Sequence, residues 1–336
     1  MFRPDRPLTL EKNCNFVLTH AALGDMIASL PAVRYARKVR PPQANVLVWV
    51  PEHQMALVSH LLEAEMEAGK SIYVLPLHLF KEIATSGDER QDKIAGVAML
   101  NAVFKDTVTR NKIDLVAYGY LTLIDRLMIE PAELNYPSAP LGPRTINEPY
   151  VVLPVNGTTI NKTPPASWIE AMIQWCVTAG YKPVVTGKKD TIVKVIGDDK
   201  PVKVLSHFDD LHPGIRALTL DTRDKLSLLE ARDVCGYARA VAGFDGGTIH
   251  LAATTDVPIV YGLTTTIPEH RPVYRHSELN WRLRHTTPRN LACAGCQGNW
   301  DLMFGYNFRD CAYGDNACVD HLNPEDFIDG LKSLGL

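Results

Sequence analysis

One order of elements occurs twice along this chain, and it restricts the fold more than any other feature. In the first half, short β-branched runs at residues 15–19, 44–50, 71–75 and 113–117 alternate with helical stretches such as residues 24–38. Strand, helix, strand in repetition predicts a parallel sheet, because parallel neighbours need long crossover connections. In the first helix Met26, Leu30 and Val33 fall at i, i+4 and i+7 and would face that sheet. Arg34, Arg37 and Lys38 come late, where cations suit the helix dipole, and Pro31 removes a hydrogen bond and kinks the axis. Between Pro131 and Pro149 five prolines and little periodicity read as an interdomain linker. The rhythm then restarts: strands are expected at 150–155, 182–186, 238–242 and 257–261, and helices at 166–179, 226–235 and 248–255. On the first of these helices Ile169, Met172, Cys176 and Ala179 share a face. A length of 336 residues exceeds the ~250–300 at which one core stops growing, so two α/β domains are expected, residues 1–140 and 141–336, meeting at a cleft.

Composition narrows the function classes. The chain is 46% hydrophobic and 22% charged, which excludes disorder, collagen and a disulfide scaffold. With 35 basic and 38 acidic residues the net charge is -3, so a nucleic-acid partner gripped along the chain's length is not expected. No window approaches ~18 consecutive apolar residues, and the first residues lack a secretory apolar core, so a cytoplasmic location is expected.

Open parallel sheets bind ligands outside the carboxyl ends of their strands, which singles out three strand-to-helix loops. In the first, residues 19–25, Gly24 permits a tight turn; Asp25 is either a helix-capping aspartate or a cleft carboxylate able to accept a proton. In the second, Thr158, Thr159 and Lys162 lead toward a helix start and could cradle an anion, although no P-loop pattern is present. In the third, Gly246 and Gly247 allow a ligand to approach the backbone, with Asp245, Thr248 and His250 beside them. No dinucleotide fingerprint, His-Glu-x-x-His site or Gly-x-Ser-x-Gly elbow occurs.

Two of these loops carry a family resemblance. Ala22-Leu-Gly-Asp25 followed by Leu30-Pro31-Ala-Val-Arg34, and Asp245-Gly-Gly247-x-x-His250-Leu-Ala-Ala253, resemble the motifs of glycosyltransferase family 9, the heptosyltransferases. The hydroxyl-rich loop with Lys162 and the tail containing Cys293-x-x-Cys296, Cys311 and Cys318 are similar to the family's as well. The resemblance implies two facing Rossmann-like domains of GT-B type, the first binding the acceptor and the second a nucleotide-sugar. It implies an inverting, metal-independent transfer of a sugar, by family default heptose from ADP-heptose, to a glycan or glycolipid hydroxyl such as lipopolysaccharide core. By motif, Asp25 is the general base, Thr158, Thr159 and Lys162 hold the donor phosphates, and Asp245, Gly246, Gly247, Thr248 and His250 line the donor site. No cofactor is needed for the reaction, and the chain has no Asp-x-Asp triplet. A monomer with peripheral contact at the inner face of the membrane completes the expectation.

The chain departs from the family pattern at Lys162-Thr-Pro-Pro, Asp245-Gly-Gly and Gly262-Leu-Thr-Thr-Thr, and at Thr19 and Ala21, where members often carry an arginine and a small hydroxyl. Residues 270–289 hold five arginines and three histidines against Glu278; this is either a solvated loop or an anion-binding stretch, with Arg271 and Arg275 as its candidate contacts. Cys293, Cys296, Cys311 and Cys318 are open to three readings: thiolates around a structural zinc, two disulfides, or reduced thiols. Three functions fit: the sugar transferase, a related transferase or epimerase with another acceptor such as a modified DNA base, and a non-catalytic nucleotide-sugar-binding protein.

Overall fold

The computed structural model describes residues 16–19, 23–24, 26–27, 30–31, 46–67, 72–76, 136–157, 159–193, 202–265, 282–288, 291, 293, 295–296, 311 and 316–336. It divides into two compact units, Met1–Pro140 with Pro272–Ser277, and Leu141–Arg271 with Glu278–Leu336.

In the first unit β1 (Phe16–Thr19), β2 (Val46–Val50) and β3 (Ile72–Pro76) form a parallel sheet in that order. Helix α1 (Glu52–Leu61) buries Gln54, Leu57, Val58 and Leu61, one stripe at helical spacing. The helix expected after β1 has begun by Leu23, so it starts earlier than the 24–38 read from the sequence, and the N-cap lies before Gly24. Met26 and Leu30 on its predicted inner face are fully buried. The strand expected at 113–117 and the helix position Val33 lie outside the described residues.

The second unit is built on β4 (Tyr150–Pro154), whose five residues are all buried. Helix α2 (Ala166–Thr178) covers the sheet with Trp168, Ile169, Met172, Ile173 and Cys176; Ala179, past the helix end, is exposed rather than on the inner face. Next come β5 (Lys182–Thr186) and an antiparallel pair that the periodicity did not reveal, β6 (Asp190–Val193) with β7 (Val202–Leu205). A short strand, β8 (Leu220–Asp221), leads to α3 (Leu228–Gly236). The chain continues through β9 (Ala240–Phe244), α4 (Gly247–Ala253), β10 (Ile259–Gly262) and β11 (Leu283–Thr286) to the C-terminal helix α5 (Pro324–Ser333).

Helix α3 starts two residues later than expected because Ser227 and Glu230 form a capping box: the Ser227 hydroxyl accepts from the Glu230 amide, and the Glu230 carboxylate accepts from the Ser227 amide at 2.8 Å. Strand β9 is displaced by the same amount, since Ala238 still turns off the helix and Arg239 is the residue that first reaches β4, through its amide and the Tyr150 carbonyl at 2.8 Å.

All described strand pairs in the main sheet of this unit are parallel, in the order β11-β10-β9-β4-β5-β8. Counted from β4 as the first strand, this is the doubly wound 3-2-1-4-5-6 order. The chain therefore leaves β4 toward one edge, returns, and leaves β9 toward the other, so the carboxyl ends of β4 and β9 flank the point where the order reverses. Trp168 packs edge-to-face against Phe244 (5.3 Å between centroids) and Phe327 (4.9 Å), fastening α2 and α5 to the sheet. The proline-rich stretch is anchored to the second unit, with the Gly142 amide donating to Asp233 (3.1 Å) and Tyr237 donating to the Gly142 carbonyl (2.8 Å).

Beyond the edge strand, the buried Arg223 guanidinium donates to both oxygens of Asp209 (2.8 Å each) and of Asp221 (3.0 and 2.9 Å), and lies 4.4 Å from the centre of the Phe208 ring. Its hydrogen bonds hold the Asp209 carboxyl below the usual aspartate range. Burial raises Asp221, but the several bonds from Arg223 together outweigh it and the net shift is downward. Both carboxyls are thus lower in the folded chain than in the unfolded one, so this stabilisation is complete above the unfolded aspartate range and fades as pH falls below about 4. Arg223→Gln is expected to cost about 2–3 kcal/mol at neutral pH, at the low end for a broken buried pair because Asp209 is half exposed, and to flatten the acid limb of a urea-denaturation series.

Candidate functional site

The loops after β4, β9 and β10 meet at the reversal point of the second sheet. Gly157 follows β4, and a Cβ there would lie 2.5 Å from the Lys162 carbonyl oxygen, so only glycine lets this loop fold back so tightly. The Gly157 amide donates to the Thr163 hydroxyl (3.2 Å), which itself donates to the Thr159 carbonyl (2.9 Å). Thr159 donates to the Asn161 side chain at 2.5 Å. These bonds wind residues 160–162 into one 3-10 turn, three residues before α2 begins. Lys162 is therefore not at the start of that helix, as the sequence had suggested; the turn directs it toward the neighbouring strand.

There it meets Asp245. The Lys162 ammonium lies 2.8 Å from one Asp245 carboxylate oxygen, and His250 Nε2 lies 3.3 Å from the other. Side-chain exposure is 13% for Lys162, 4% for Asp245 and 2% for His250, so the pair is strongly sheltered from water and screened little by salt. The Asp245 amide donates to the Gly262 carbonyl at the end of β10 (2.8 Å). Thr264, two residues on, donates to the Asn161 carbonyl (2.5 Å) and closes the circuit back to the Lys162 turn. Gly246 has an extended backbone, where a Cβ would meet the Phe244 carbonyl oxygen at an ordinary 3.7 Å, and Gly246, Gly247 and Thr248 are half-buried. A lysine fixed by a buried carboxylate, beside an uncovered run of glycine backbone, can receive an anionic ligand with little reorganisation.

Of the residues singled out from the sequence, Thr159, Lys162, Asp245, Gly246, Gly247, Thr248 and His250 are thus gathered around one strand-order reversal. Asp25, Thr158, Arg271 and Arg275 lie outside the described residues. Within the arginine-rich stretch, Arg282 donates to the Asp256 carbonyl (2.7 Å), while Arg284 donates to Ser333 (3.1 Å) and ties β11 to α5. Sequence reasoning missed Asn156, whose carbonyl oxygen accepts from the Lys188 amide (2.9 Å) and whose amide donates to Thr191 (3.2 Å), together with Asn161, Thr163 and Thr264. Asn156 and Thr264 each lie two residues after a strand's carboxyl end, Asn161 lies in the turn after β4, and Thr163 and Thr264 fall in the stretches that depart from the family pattern.

None of the six described cysteines, Cys293, Cys296, Cys311 and Cys318 included, is in a disulfide, which goes against the disulfide reading for those four. Burial first, then the charges of Cys296, Cys311 and Cys293, push the Cys318 thiol up to about 12, so each of those three lies within electrostatic reach of Cys318. Among the described residues no three His, Cys, Asp or Glu side chains are arranged to hold a metal ion. No described helix is long and apolar enough to cross a membrane.

No protein-family model and no curated protein matches this sequence. Solved structures do. The Escherichia coli ADP-heptose lipopolysaccharide heptosyltransferase II superposes with a TM-score of 0.57 over 96% of this chain and 98% of that one, at 15% identity. Dodecameric iron-containing heptosyltransferase TibC, in complex with ADP-D-β-D-heptose, gives 0.63 over 99% and 80% at 15% identity. A glycosyl transferase family 9 protein of Veillonella parvula gives 0.57 over 98% and 99% at 14% identity. The chain shares the fold of these glycosyltransferases. That likeness agrees with the motif resemblance, and it rests on strand order and packing at an identity too low for sequence comparison to register.

Asp245→Asn is expected to lower stability by about 3–5 kcal/mol, because it leaves a nearly buried ammonium without its counter-charge. The double variant with Lys162→Met should lose less than the sum of the two single changes, measured by urea denaturation as a double-mutant cycle.

Proposed function

We propose that this chain is an inverting, metal-independent glycosyltransferase that moves a sugar from a nucleoside-diphosphate donor to a hydroxyl of a glycan or glycolipid. The observation that carries this reading is the Lys162–Asp245–His250 arrangement at the β4/β9 reversal of a chain with a heptosyltransferase fold. Asp245 engages the Lys162 ammonium and fixes its direction, and an ammonium has three donors, so it can also reach phosphate oxygens. Lys162, with Thr158 and Thr159, would balance the charge that grows on the diphosphate as its bond to the sugar breaks. Gly246, Gly247 and Thr248 offer close backbone approach, and Asp245 and His250 offer polar contacts to the donor. ADP-heptose is the proposed donor and lipopolysaccharide core the proposed acceptor, in keeping with the names of the neighbouring structures.

Asp25 is the proposed base. It takes the proton of the acceptor hydroxyl as that oxygen attacks the anomeric carbon from the side opposite the diphosphate; the carbon–oxygen bond to the diphosphate breaks, and configuration inverts. This chemistry requires the acceptor-binding first unit to face the donor-binding second one, two Rossmann-like domains in the GT-B manner. Arg271 and Arg275 are proposed to add charge for an anionic donor or acceptor, and the protein is proposed to act as a cytoplasmic monomer at the inner face of the membrane. A thermal-shift screen of nucleoside diphosphates and nucleotide-sugars should identify the donor by a concentration-dependent rise in Tm. Asp25→Asn should retain that shift while turnover falls about 10²–10⁴-fold. Donor binding by the wild type without turnover on any glycan acceptor would point instead to a binding protein.

No step of this reaction passes through a metal. A structural zinc on the four C-terminal thiols, whose soft sulfur suits that ion, would require them to draw closer than in their described arrangement. Protein purified without added zinc should then carry about one zinc per chain by elemental analysis; metal-free protein with unchanged Tm would refute the assignment.

A further inference from the structure

Thr265 is a buried threonine at this site whose hydroxyl has no hydrogen-bond partner in the free protein. It follows β10 on the same carboxyl edge as Lys162 and Asp245, is 1% exposed, and its hydroxyl has no hydrogen-bond partner. Its neighbour Thr264 is engaged: the Thr264 hydroxyl donates to the Asn161 carbonyl, and the Thr264 carbonyl accepts from the Gly295 amide of the Cys-x-x-Cys loop at 3.3 Å. The Asp245 amide bonds Gly262, three residues before Thr265. Position 265 thus follows directly on a segment bonded to the Asn161–Lys162 turn through Thr264 and to Asp245 through Gly262. A buried hydroxyl left unpaired destabilises the free chain, and valine has nearly the same shape without the deficit, so packing alone does not call for threonine here.

We propose that Thr265 is a donor-binding residue whose hydroxyl makes its hydrogen bond to the bound nucleotide-sugar. This rests on the reading of the second unit as a nucleotide-sugar site and adds to it a polar contact from a third strand, β10, beside those from β4 and β9. The hydroxyl is sealed from solvent in the free protein. No hydrogen bond at this side chain has to break for it to turn toward a ligand, and its neutral hydroxyl can donate to a phosphoryl oxygen or exchange bonds with a sugar hydroxyl.

The test is Thr265→Val in the full chain, titrated calorimetrically with the nucleoside diphosphate and the nucleotide-sugar that bind the wild type in a panel of ADP, GDP and UDP and their sugar conjugates. Affinity should fall about tenfold, the worth of one neutral hydrogen bond, while the Tm of the free protein stays level or rises. Thr265→Ser, which keeps the hydroxyl, should stay within about threefold of wild type. Weaker binding of both ligand forms places the bond on the diphosphate; weaker binding of the sugar conjugate alone places it on the sugar. A Thr265→Val protein that binds both forms as the wild type does overturns the proposal and leaves the donor reading intact. A wild type that binds no member of the panel overturns the donor reading and this inference with it. A marked fall in the Tm of free Thr265→Val would show that the hydroxyl has a structural partner, and would also overturn the proposal.

Discussion

Asp245 is the residue on which the organisation of the second unit's carboxyl edge depends. Its carboxylate joins Lys162 and His250, and its amide joins Gly262, so one residue connects the loops of three strands. The need for such a residue follows from the topology. Where the strand order of a doubly wound sheet reverses, the loops on either side lead away in opposite directions and leave a crevice. A crevice with one wall from the β4 loop and one from the β9 loop keeps its shape only if something spans it. Here a sheltered ion pair does so, in surroundings where water and salt weaken it little.

Buried arginines reinforce the same unit away from the crevice. Arg223 makes four hydrogen bonds to Asp209 and Asp221, and Arg232, 1% exposed, donates to the Thr254 hydroxyl at 3.0 Å and so joins α3 to the end of α4. Burial works against the charge of both guanidiniums; hydrogen bonds to Asp209 and Asp221 outweigh it at Arg223, whereas at Arg232 burial prevails and shifts the pKa down, though a guanidinium stays charged there. The result is a site whose polar groups are prearranged by charge pairs and whose scaffold is fixed at separate points. Thr265 differs from them in carrying a buried hydroxyl with no hydrogen-bond partner.

Local pattern revealed most of the elements. Strands such as Tyr150–Pro154 are short apolar runs bounded by turn residues, and α2 repeats its large apolar residues at helical spacing, so both declare themselves within a few residues. The β6/β7 pair gave no comparable signal, because Asp190–Val193 and Val202–Leu205 are brief and β7 alternates with an exposed Lys203. The starts of α3 and β9 were displaced by a capping box and a turn that act through hydrogen bonds rather than hydrophobic period. Ala179 shows the same limit: it continues the stripe of α2 in sequence, but the helix has ended there.

The site was legible as residue types and illegible as partners. Loops that follow strands, rich in glycine, hydroxyls and charge, marked Thr159, Lys162, Asp245 and His250 from the sequence alone, since ligand position in a parallel sheet follows from strand direction. The sequence by itself also determined that the chain would build parallel α/β units, because hydrophobic periodicity and turn chemistry are local properties. Which lysine meets which aspartate, 83 positions apart, is not a local property. It depends on β4 and β9 being neighbours in the sheet, and that adjacency arises only when a chain that has built one side of the sheet returns to build the other. The tertiary structure alone decided it, and with it the difference between Thr264, which joins two loops, and Thr265, whose hydroxyl stands unpaired.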